Sequence, residues 1–513
     1  MAGPDPGLKG ETGGTLVEDW VWRWVWSCTL AATLKWFHKG IALLRKTLPV
    51  LTAVALCSFS VPRILTAQTA ADKHYEPTLE SLDSHPLPDW YNDAKLGIFI
   101  HWGLYSVPAW ANPQDPKHVT GGPGETPYAE WYYNSMRNPG STTQKYHKEH
   151  YGDMDYYGFV PEFDKESAKW NPETMAAIFR DAGAKYVVLT SKHHEGFTLW
   201  PSEVPNPNQP GLHAKRDLVG ELTEAVRKDG LKMGLYYSGG YDWTFDRGPI
   251  EKDHDYETVQ PQSVAYGVYA DAQIEELIAK YHPAVLWNDI NWPKSGNALK
   301  VMADYYNAVP DGVIDDRFGI PHHDFTSPEY AKLDQISETK WEECRGVGLS
   351  FGWNRAETDV QTMSPEEVIF LLVDIVSKNG NLLLDVGPEA NGTIPELQAS
   401  RLRALGAWLK QNGDAIYRTR PWTRANGTTN AVDASGRAID VRFTRKGGTV
   451  FATLLGKPTA ATVLLHNVTA GPEISLVGGG PVKWVQKAAD VEVTLPAKLP
   501  GEYAFVLKME GAK

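Results

Sequence analysis

Short apolar runs recur along the middle of the chain, and each one ends in polar or aromatic residues. Helical patterns such as "GELTEAVRKDG" and "DAQIEELIAKYH" fill several of the gaps between them. Continuous apolar strands that alternate with helices indicate a parallel sheet covered on both faces. The runs are "DAKLGIFIHWG", "FRDAGAKYVVLTSKHHEGF", "VRKDGLKMGLYYSGGYDW", "IAKYHPAVLWNDINW", "NAVPDGVIDDRFG" and "IVSKNGNLLLDVGPEANG".

This pattern predicts an α/β fold with a (β/α)8-like barrel over residues 72–417. An open doubly wound sheet is the alternative. The barrel is favoured because the unusual polar residues all fall at the C-terminal ends of the apolar runs, where barrel active sites are built.

The pattern of apolar and polar residues changes past Arg418. Segments such as "AIDVRFTRKGGTVFATLLGKP" and "ADVEVTLPAKLPGEYAFVLKM" alternate apolar and polar residues between turns rich in Gly and Pro. Strict alternation of this kind is typical of antiparallel strands with one buried face. We therefore expect a small antiparallel β-sandwich over residues 418–513, without a catalytic cluster of its own.

The first 71 residues read as a leader that contains a secretory signal. Arg45 and Lys46 precede an apolar run from Leu48 to Phe59, and small residues follow it. This order predicts a signal peptide, and the run is too short to be a stable membrane anchor. We expect export to a periplasmic, extracellular or lysosome-like compartment after signal removal, with no stable membrane span in the mature protein. A buried or interfacial helix is the alternative.

Charge and cysteine content narrow the function classes. The chain carries 50 basic and 63 acidic residues, a formal net charge of -13, which argues against nucleic acid as a partner because counterion release needs clustered Lys and Arg. Cys28 and Cys57 lie in the leader, so Cys344 alone remains and has no internal disulfide partner. The 19 Trp and 23 Tyr suit a site that stacks on sugar rings.

Polar residues at the strand ends should converge on one cleft if the barrel forms. Such a cleft suits a neutral, hydroxyl-rich substrate, since sugar hydroxyls need donors and acceptors and ring faces need apolar plates. The strand-end residues are His101, Trp102, His193, His194, Glu195, Tyr236, Tyr237, Asp242, Trp287, Asp289, Asp315, Asp316 and Arg317.

The adjacent pair His193 and His194 has three interpretations: metal ligands, sugar binding or an ordinary loop. Neighbouring side chains on an extended segment point to opposite sides, and the spacing lacks the shared face of a helical zinc-binding pair. Hydrogen bonding to substrate hydroxyls is the favoured interpretation.

Asp289 ends an apolar run between Trp287 and Trp292, where it could act as a nucleophile or cap the next helix. A second carboxylic acid must then protonate the leaving group. Spacing alone leaves three candidates open, namely Glu329, Glu342 and Glu343.

Seven segments together resemble, in order and spacing, the α-L-fucosidases of glycoside hydrolase family 29. The resemblance runs from Tyr75 to Tyr417. The segments are "WYNDAKLGIFIHWGLYSVPAW", "YAEWY", "AGAKYVVLTSKHHEGF", "GLYYSGGYDW", "LWNDINWP", "DDRFGIPHHDFTSPEY" and "WEECRGVGLSFGWNR".

The resemblance implies a role for each matching position. Asp289 of "LWND" would be the nucleophile, and Glu329, which precedes the tyrosine of "SPEY", would be the acid/base, with Glu342 in reserve. Phe351 of "SFGW" would pack on the C5 methyl group of fucose. The positions implied to bind the sugar are His101, Glu130, Trp131, His193, His194, Tyr237, Trp287, Arg317 and Phe351.

The expected reaction is retaining hydrolysis of terminal α-L-fucosyl groups from oligosaccharides or glycoconjugates through a covalent fucosyl-enzyme. Retention requires carboxyl groups about 5 to 5.5 Å apart, and it needs no metal or organic cofactor. A metal-dependent amidohydrolase using His101, His193 and His194, and a non-catalytic sugar-binding protein, are the alternatives. The linkage, the aglycone and the oligomeric state are left open.

Overall fold

Seven parallel strands form one sheet in the computed structural model, which describes residues 73–119, 122–246 and 248–513. The leader and signal predicted over residues 1–71 lie outside the described residues. Residues Tyr75–Lys513 belong to one unit. The strands are β1 (Leu96–Ile100), β2 (Tyr186–Lys192), β3 (Lys232–Ser238), β4 (Val285–Asp289), β5 (Val313–Ile314), β6 (Trp341–Gly346) and β7 (Gly380–Val386).

All six predicted apolar runs form strands, β1 to β5 and β7. The seventh strand, β6, was missed because its sequence "WEECRG" holds three charged residues. The strands lie side by side in the order β5–β4–β3–β2–β1–β7–β6, and each pair is parallel. Helices in the connections cover the outer face, which explains why strands such as β1, β2 and β7 are buried along their whole length.

An irregular segment occupies the gap between β5 and β6. Phe325 bridges in parallel to Asp315 at the end of β5, and Thr326 bridges to Trp341 of β6. Pro328 lacks the N–H that a regular ladder needs, and its carbonyl accepts instead from the backbone N–H of Cys344 at 3.2 Å. The segment therefore takes the place of an eighth strand, and the predicted barrel-like fold is confirmed.

Side chains on alternate strand positions fill the barrel interior. Phe99, Tyr236, Trp287 and Cys344 belong to one buried cluster that draws on strands around the ring. Their sequence neighbours instead join the larger cluster packed against the helices. The helices are Leu79–Leu82, Asp89–Ala94, Tyr132–Ser135, Thr142–Tyr151, Val160–Ser167, Pro172–Asp181, Leu218–Lys228, Asp255–Thr258, Val264–Tyr281, Ala298–Ala308, Pro365–Ser377 and Glu396–Asn412.

Nine antiparallel strands follow the barrel, as the alternating pattern predicts. The 13-residue strand β8 pairs with β9 on one side and with β11 on the other, so it joins two layers around a separate apolar core. Trp408 ties this module to the barrel by donating to the carbonyl of Ala504 at 2.9 Å. The strands are β8 (Arg420–Val432), β9 (Ala438–Lys446), β10 (Thr449–Leu454), β11 (Thr462–Leu465), β12 (Glu473–Leu476), β13 (Gly480–Pro481), β14 (Lys483–Lys487), β15 (Asp490–Thr494) and β16 (Phe505–Glu510).

Within the described ranges, the search for a helix with the length and apolar character of a membrane span finds none.

Candidate active site

The carboxyl ends of β1, β2 and β4 bring three histidines and an aspartate together. The ring centroids of His101 and His193 lie 5.6 Å apart, and those of His193 and His194 lie 4.0 Å apart. Nε2 of His194 lies 3.9 Å from Oδ2 of Asp289. Residues from distant parts of the chain therefore meet at the end of the barrel where such sites are built.

Two side chains hold the carboxylate of Asp289 in place. Arg317 donates from Nη1 to Oδ1 at 3.0 Å, and the hydroxyl of Tyr236 donates to Oδ2 at 2.9 Å. The backbone turns sharply directly after it, with φ of 60° at Ile290 and 68° at Asn291. Positive φ is strained for a β-branched residue such as Ile290, and strain of this kind is concentrated at functional sites.

Arg317 also contacts the second candidate carboxylate. Its guanidinium lies on the 3-10 turn Asp316–Phe318 after β5, with Nη2 3.4 Å from Oε2 of Glu329. Its Cζ lies 4.6 Å from the ring centroid of Trp287, and Nε donates to Oγ of Ser327 at 3.1 Å. One planar cation with fixed orientation therefore bridges Asp289 and Glu329.

Burial and charge act in opposite directions on Glu329. Burial raises the pKa of its carboxyl, while the guanidinium of Arg317 lowers this pKa and the charge of Asp289 raises it. The net direction is upward. A carboxyl with a raised pKa keeps its proton to higher pH, which a general acid requires.

A hydrogen-bond partner behind the ring fixes two of the histidines. Nδ1 of His101 lies 2.6 Å from Oδ1 of Asp385, and Nδ1 of His194 lies 2.7 Å from Oγ of Ser238. The hydroxyl of Ser238 donates onward to the carbonyl of Tyr241, so it accepts from His194. Burial lowers the pKa of His101 and of His194 well below the ordinary value.

A wall of the site comes from the 3-10 turn Ala129–Trp131 and the loop after β6. Glu130 accepts from the backbone N–H of Gly352 at 2.8 Å, and burial raises its pKa to about 7. Trp131 meets the ring of His194 edge-on at 5.6 Å. The ring of Phe351 lies 5.0 Å from that of His101, so an apolar plate adjoins the polar groups.

Tyr237 is not brought to the site in this structure. Its hydroxyl donates to Oε1 of Gln273 on helix Val264–Tyr281, on the outer face of the sheet. Adjacent strand residues point to opposite faces, so Tyr236 is the tyrosine that reaches Asp289.

Trp287 lies beneath the site as a support for Arg317 and is only 2% exposed. Its indole N–H donates to Oε1 of Glu342 at 3.2 Å.

The two other acid candidates do not contact the pair of carboxylates. Glu342 is fully buried in the barrel interior. It accepts hydrogen bonds from the hydroxyls of Tyr91 and Tyr186 and from the indole N–H of Trp287. Glu343 points to the opposite face of β6, and neither of its carboxyl oxygens has a partner among the described residues. Glu329 is the candidate that shares Arg317 with Asp289.

Sequence reasoning missed three residues of this site. Asp385 and Ser238 hold histidines from behind, and the hydroxyl of Tyr128 lies 3.5 Å from Oε1 of Glu329. All three lie in segments that the sequence singles out: Asp385 in the strand-end run "LLLDVG", Ser238 in "GLYYSGGYDW" and Tyr128 in "YAEWY". Among the residues that the structure describes, no three His, Cys, Asp or Glu side chains are grouped so that they could hold one metal ion.

Comparison with known proteins identifies the family. The family model described as alpha-L-fucosidase matches residues 63–414, and the model of the alpha-L-fucosidase C-terminal domain matches residues 436–510. The chain belongs to the alpha-L-fucosidase family. It is therefore a glycoside hydrolase that acts as an α-L-fucosidase.

Relatives from distant organisms agree with this assignment. An alpha-L-fucosidase of Dictyostelium discoideum is 35% identical over 455 residues, which cover 84% of this chain and 92% of that protein. The human tissue alpha-L-fucosidase is 32% identical over 464 residues, covering 86% and 93%. The crystal structure of a Thermotoga maritima alpha-fucosidase in complex with fucose is 42% identical, with a TM-score of 0.77, and covers 85% of this chain and all of that one.

Proposed function

We propose that this chain is a retaining exo-α-L-fucosidase that releases terminal α-L-fucosyl groups from oligosaccharides or glycoconjugates through a covalent fucosyl-enzyme. The observation that carries the proposal is the shared guanidinium. Arg317 contacts Asp289 at 3.0 Å and Glu329 at 3.4 Å, so two carboxyl groups face one small space. Paired carboxyl groups of different proton affinity are what double displacement needs.

Asp289 is the nucleophile in this proposal. Its carboxylate attacks the anomeric carbon while Glu329 gives its proton to the departing glycosidic oxygen, and an ester between Asp289 and fucose results. Glu329, now ionised, takes a proton from water, and the resulting hydroxide equivalent attacks the anomeric carbon. The ester bond breaks, Asp289 leaves as a carboxylate, and fucose departs with its original anomeric configuration.

The environment supports this division of roles. Asp289 accepts from Arg317 and Tyr236, and these two donors fix the orientation of its carboxylate. Burial raises the pKa of Glu329, which favours its protonated form at the start of the cycle. Contact with the same cation allows Glu329 to be stabilised as a carboxylate once it has given up its proton.

The polar and aromatic side chains around the two carboxyl groups would bind the sugar. His101, His193, His194 and Glu130 would bind the ring hydroxyls, and Trp131 and Phe351 would contact the apolar parts of fucose. Tyr236 replaces Tyr237 in this set. The polar contacts carry most of the selectivity, because one methyl group in an apolar pocket is worth only about 1 to 3 kcal/mol.

Domain boundaries and location are also part of the proposal. A leader over residues 1–71 would direct export and be removed, the catalytic barrel would span residues 72–417, and the β-sandwich would span residues 418–513. N-terminal sequencing of the protein secreted by its own host would test the cleavage position.

The stereochemistry of hydrolysis tests the mechanism. Proton NMR of an aryl α-L-fucoside digest should show α-L-fucose as the first-formed anomer, before mutarotation. First-formed β-L-fucose would contradict double displacement. Two further experiments test the roles of the carboxyl groups. Asp289→Gly should abolish turnover while fucose binding is preserved. Azide should restore aryl fucoside cleavage to Glu329→Ala but not to Glu342→Ala.

A further inference from the structure

A buried carboxyl group lies directly behind His101 and has no part in the reaction as proposed above. Asp385 is on β7, which pairs with β1, and is 1% exposed. Its Oδ1 lies 2.6 Å from Nδ1 of His101, and its Oδ2 has no hydrogen-bond partner among the described residues. The carboxyl group is therefore enclosed behind an imidazole whose own side chain keeps only 6% of its surface exposed.

The aromatic rings that surround His101 do not select its tautomer, so the hydrogen bond to Asp385 does. Phe99 meets the imidazole at 4.7 Å, Phe351 at 5.0 Å and Tyr236 at 5.7 Å between ring centroids. Such contacts restrict where the ring lies, but they do not distinguish Nδ1 from Nε2. The hydrogen bond at Nδ1 decides which ring nitrogen carries hydrogen on the substrate side.

The surroundings disfavour a net negative charge on this pair. Burial raises the pKa of Asp385 well above its ordinary value, and the nearby carboxyl groups of Glu130, Glu329 and Glu357 raise it further. A backbone hydrogen bond from His101 opposes these effects, but the net direction is upward, which favours a pair that is electrically neutral as a whole. A neutral pair holds two hydrogens, one in the bond between Asp385 and Nδ1 and the other on Nε2 of His101.

We propose that Asp385 is a positioning residue for the fucosidase site: it orients the ring of His101 and keeps a hydrogen on Nε2, so that His101 donates to a hydroxyl oxygen of the sugar. This inference rests on the proposed function, in which His101 binds fucose. The opposite arrangement, an ionised Asp385 with a bare Nε2, would make His101 an acceptor.

Nitrogen NMR of the resting enzyme tests the hydrogen position directly. In protein labelled with ¹⁵N-histidine, the His101 signals are assigned by their loss in His101→Asn, and Nε2 should show the shift and coupling of a protonated nitrogen. An unprotonated Nε2 would overturn the proposal. This readout does not depend on turnover, so it stands apart from the test of the mechanism.

Two variants of Asp385 test the positioning role. Asp385→Ala should lower kcat/KM for an aryl α-L-fucoside by about 10- to 100-fold, the size of loss known for removing the outer hydrogen-bond partner of a metal-bound histidine. Asp385→Asn should recover part of this loss, because its amide N–H can donate to Nδ1 and preserve hydrogen on Nε2. Equal loss in both variants would contradict a neutral pair.

A series of monodeoxy fucosides separates positioning from general damage. The loss caused by Asp385→Ala should disappear for the one substrate that lacks the hydroxyl bound by His101, and should persist for the others. A loss of the same size for every substrate would show a merely structural role. Glu343→Gln is the matched control, a buried carboxyl on β6 that should leave all these values unchanged. If the wild-type enzyme failed to cleave α-L-fucosides at all, the proposed function would fail instead.

Discussion

Nη1 of Arg317 lies 3.0 Å from Oδ1 of Asp289, while Nη2 of the same guanidinium lies 3.4 Å from Oε2 of Glu329. The planar guanidinium therefore fixes the position of the proposed nucleophile relative to the proposed acid/base. A lysine ammonium is a point charge and cannot reproduce this geometry.

Arg317→Lys should therefore lower kcat/KM by about 100- to 1,000-fold, the loss expected when a preorganised charged donor is removed from an active site. Arg317→Met should lower it further. Steady-state kinetics with an aryl α-L-fucoside measure both losses, and a lysine variant with full activity would contradict the bridging role.

Arg317→Met and Arg317→Lys should also differ in how kcat/KM depends on pH. Arg317 lowers the pKa of Glu329 against the effect of burial, so its removal in Arg317→Met should raise that pKa. Because the acid must be protonated to act, the alkaline limb of kcat/KM should move to higher pH. Arg317→Lys keeps the positive charge, and its alkaline limb should stay closer to that of the wild type.

Tyr236 and Tyr237 form a matched pair, since each loses one hydroxyl on mutation to phenylalanine. Tyr236→Phe removes the donor to Oδ2 of Asp289 and should lower kcat/KM by about 10- to 100-fold, with little change in the free energy of unfolding. Tyr237→Phe leaves Oε1 of buried Gln273 without this donor and should cost about 1 to 3 kcal/mol of stability, with activity retained. Kinetics and urea unfolding on both variants check the assignment, and the reverse pattern would contradict it.

This pair also marks the limit of what the sequence could predict. The parallel topology follows from apolar runs between helices, and it alone brings the ends of β1, β2 and β4 together. A strand buried on both faces, however, has no alternation from which the inward positions can be read. The choice between two adjacent tyrosines was therefore open, and the pattern favoured neither.

The irregular segment that carries Glu329 and the charged strand β6 could not be predicted from the sequence for a related reason. The segment that carries Glu329 closes the sheet through isolated bridges around Phe325 and Thr326, and Pro328 interrupts any ladder. Strand β6 was missed because Glu342 and Glu343 are buried despite their charge. Hydrophobic periodicity registers burial only when the buried residues are apolar.

The buried ion pair of Lys192 and Asp242 should stabilise the loop that carries His193. Nζ of Lys192 lies 2.9 Å from Oδ2 of Asp242, and both side chains are fully buried. Removing one partner leaves an uncompensated buried charge, so Lys192→Met or Asp242→Asn should each cost about 3 to 5 kcal/mol of stability. The double variant should cost less than the sum of the two. Denaturant unfolding measures these values, and additive losses would contradict direct coupling.

Stability should fall as pH rises towards 8, because several buried carboxyl groups hold protons in the folded state. Burial raises the pKa of Glu342 to about 7 and that of Glu343 to about 8, from an ordinary value of 4.5. A raised folded-state pKa contributes stability that is complete below about pH 4.5 and is lost as pH rises through the folded value.

Glu343 is the carboxyl on which this dependence can be tested most cleanly, since neither of its oxygens has a hydrogen-bond partner within the described part of the chain. Glu343→Gln removes the ionisation without breaking a bond, so it should match the wild type near pH 4.5 and exceed its stability by roughly 4 to 5 kcal/mol above pH 8. Urea unfolding across this pH range measures the difference. A constant difference at every pH would show that Glu343 does not change its protonation on folding, because only a proton held in the folded state and released on unfolding makes the gap widen with pH.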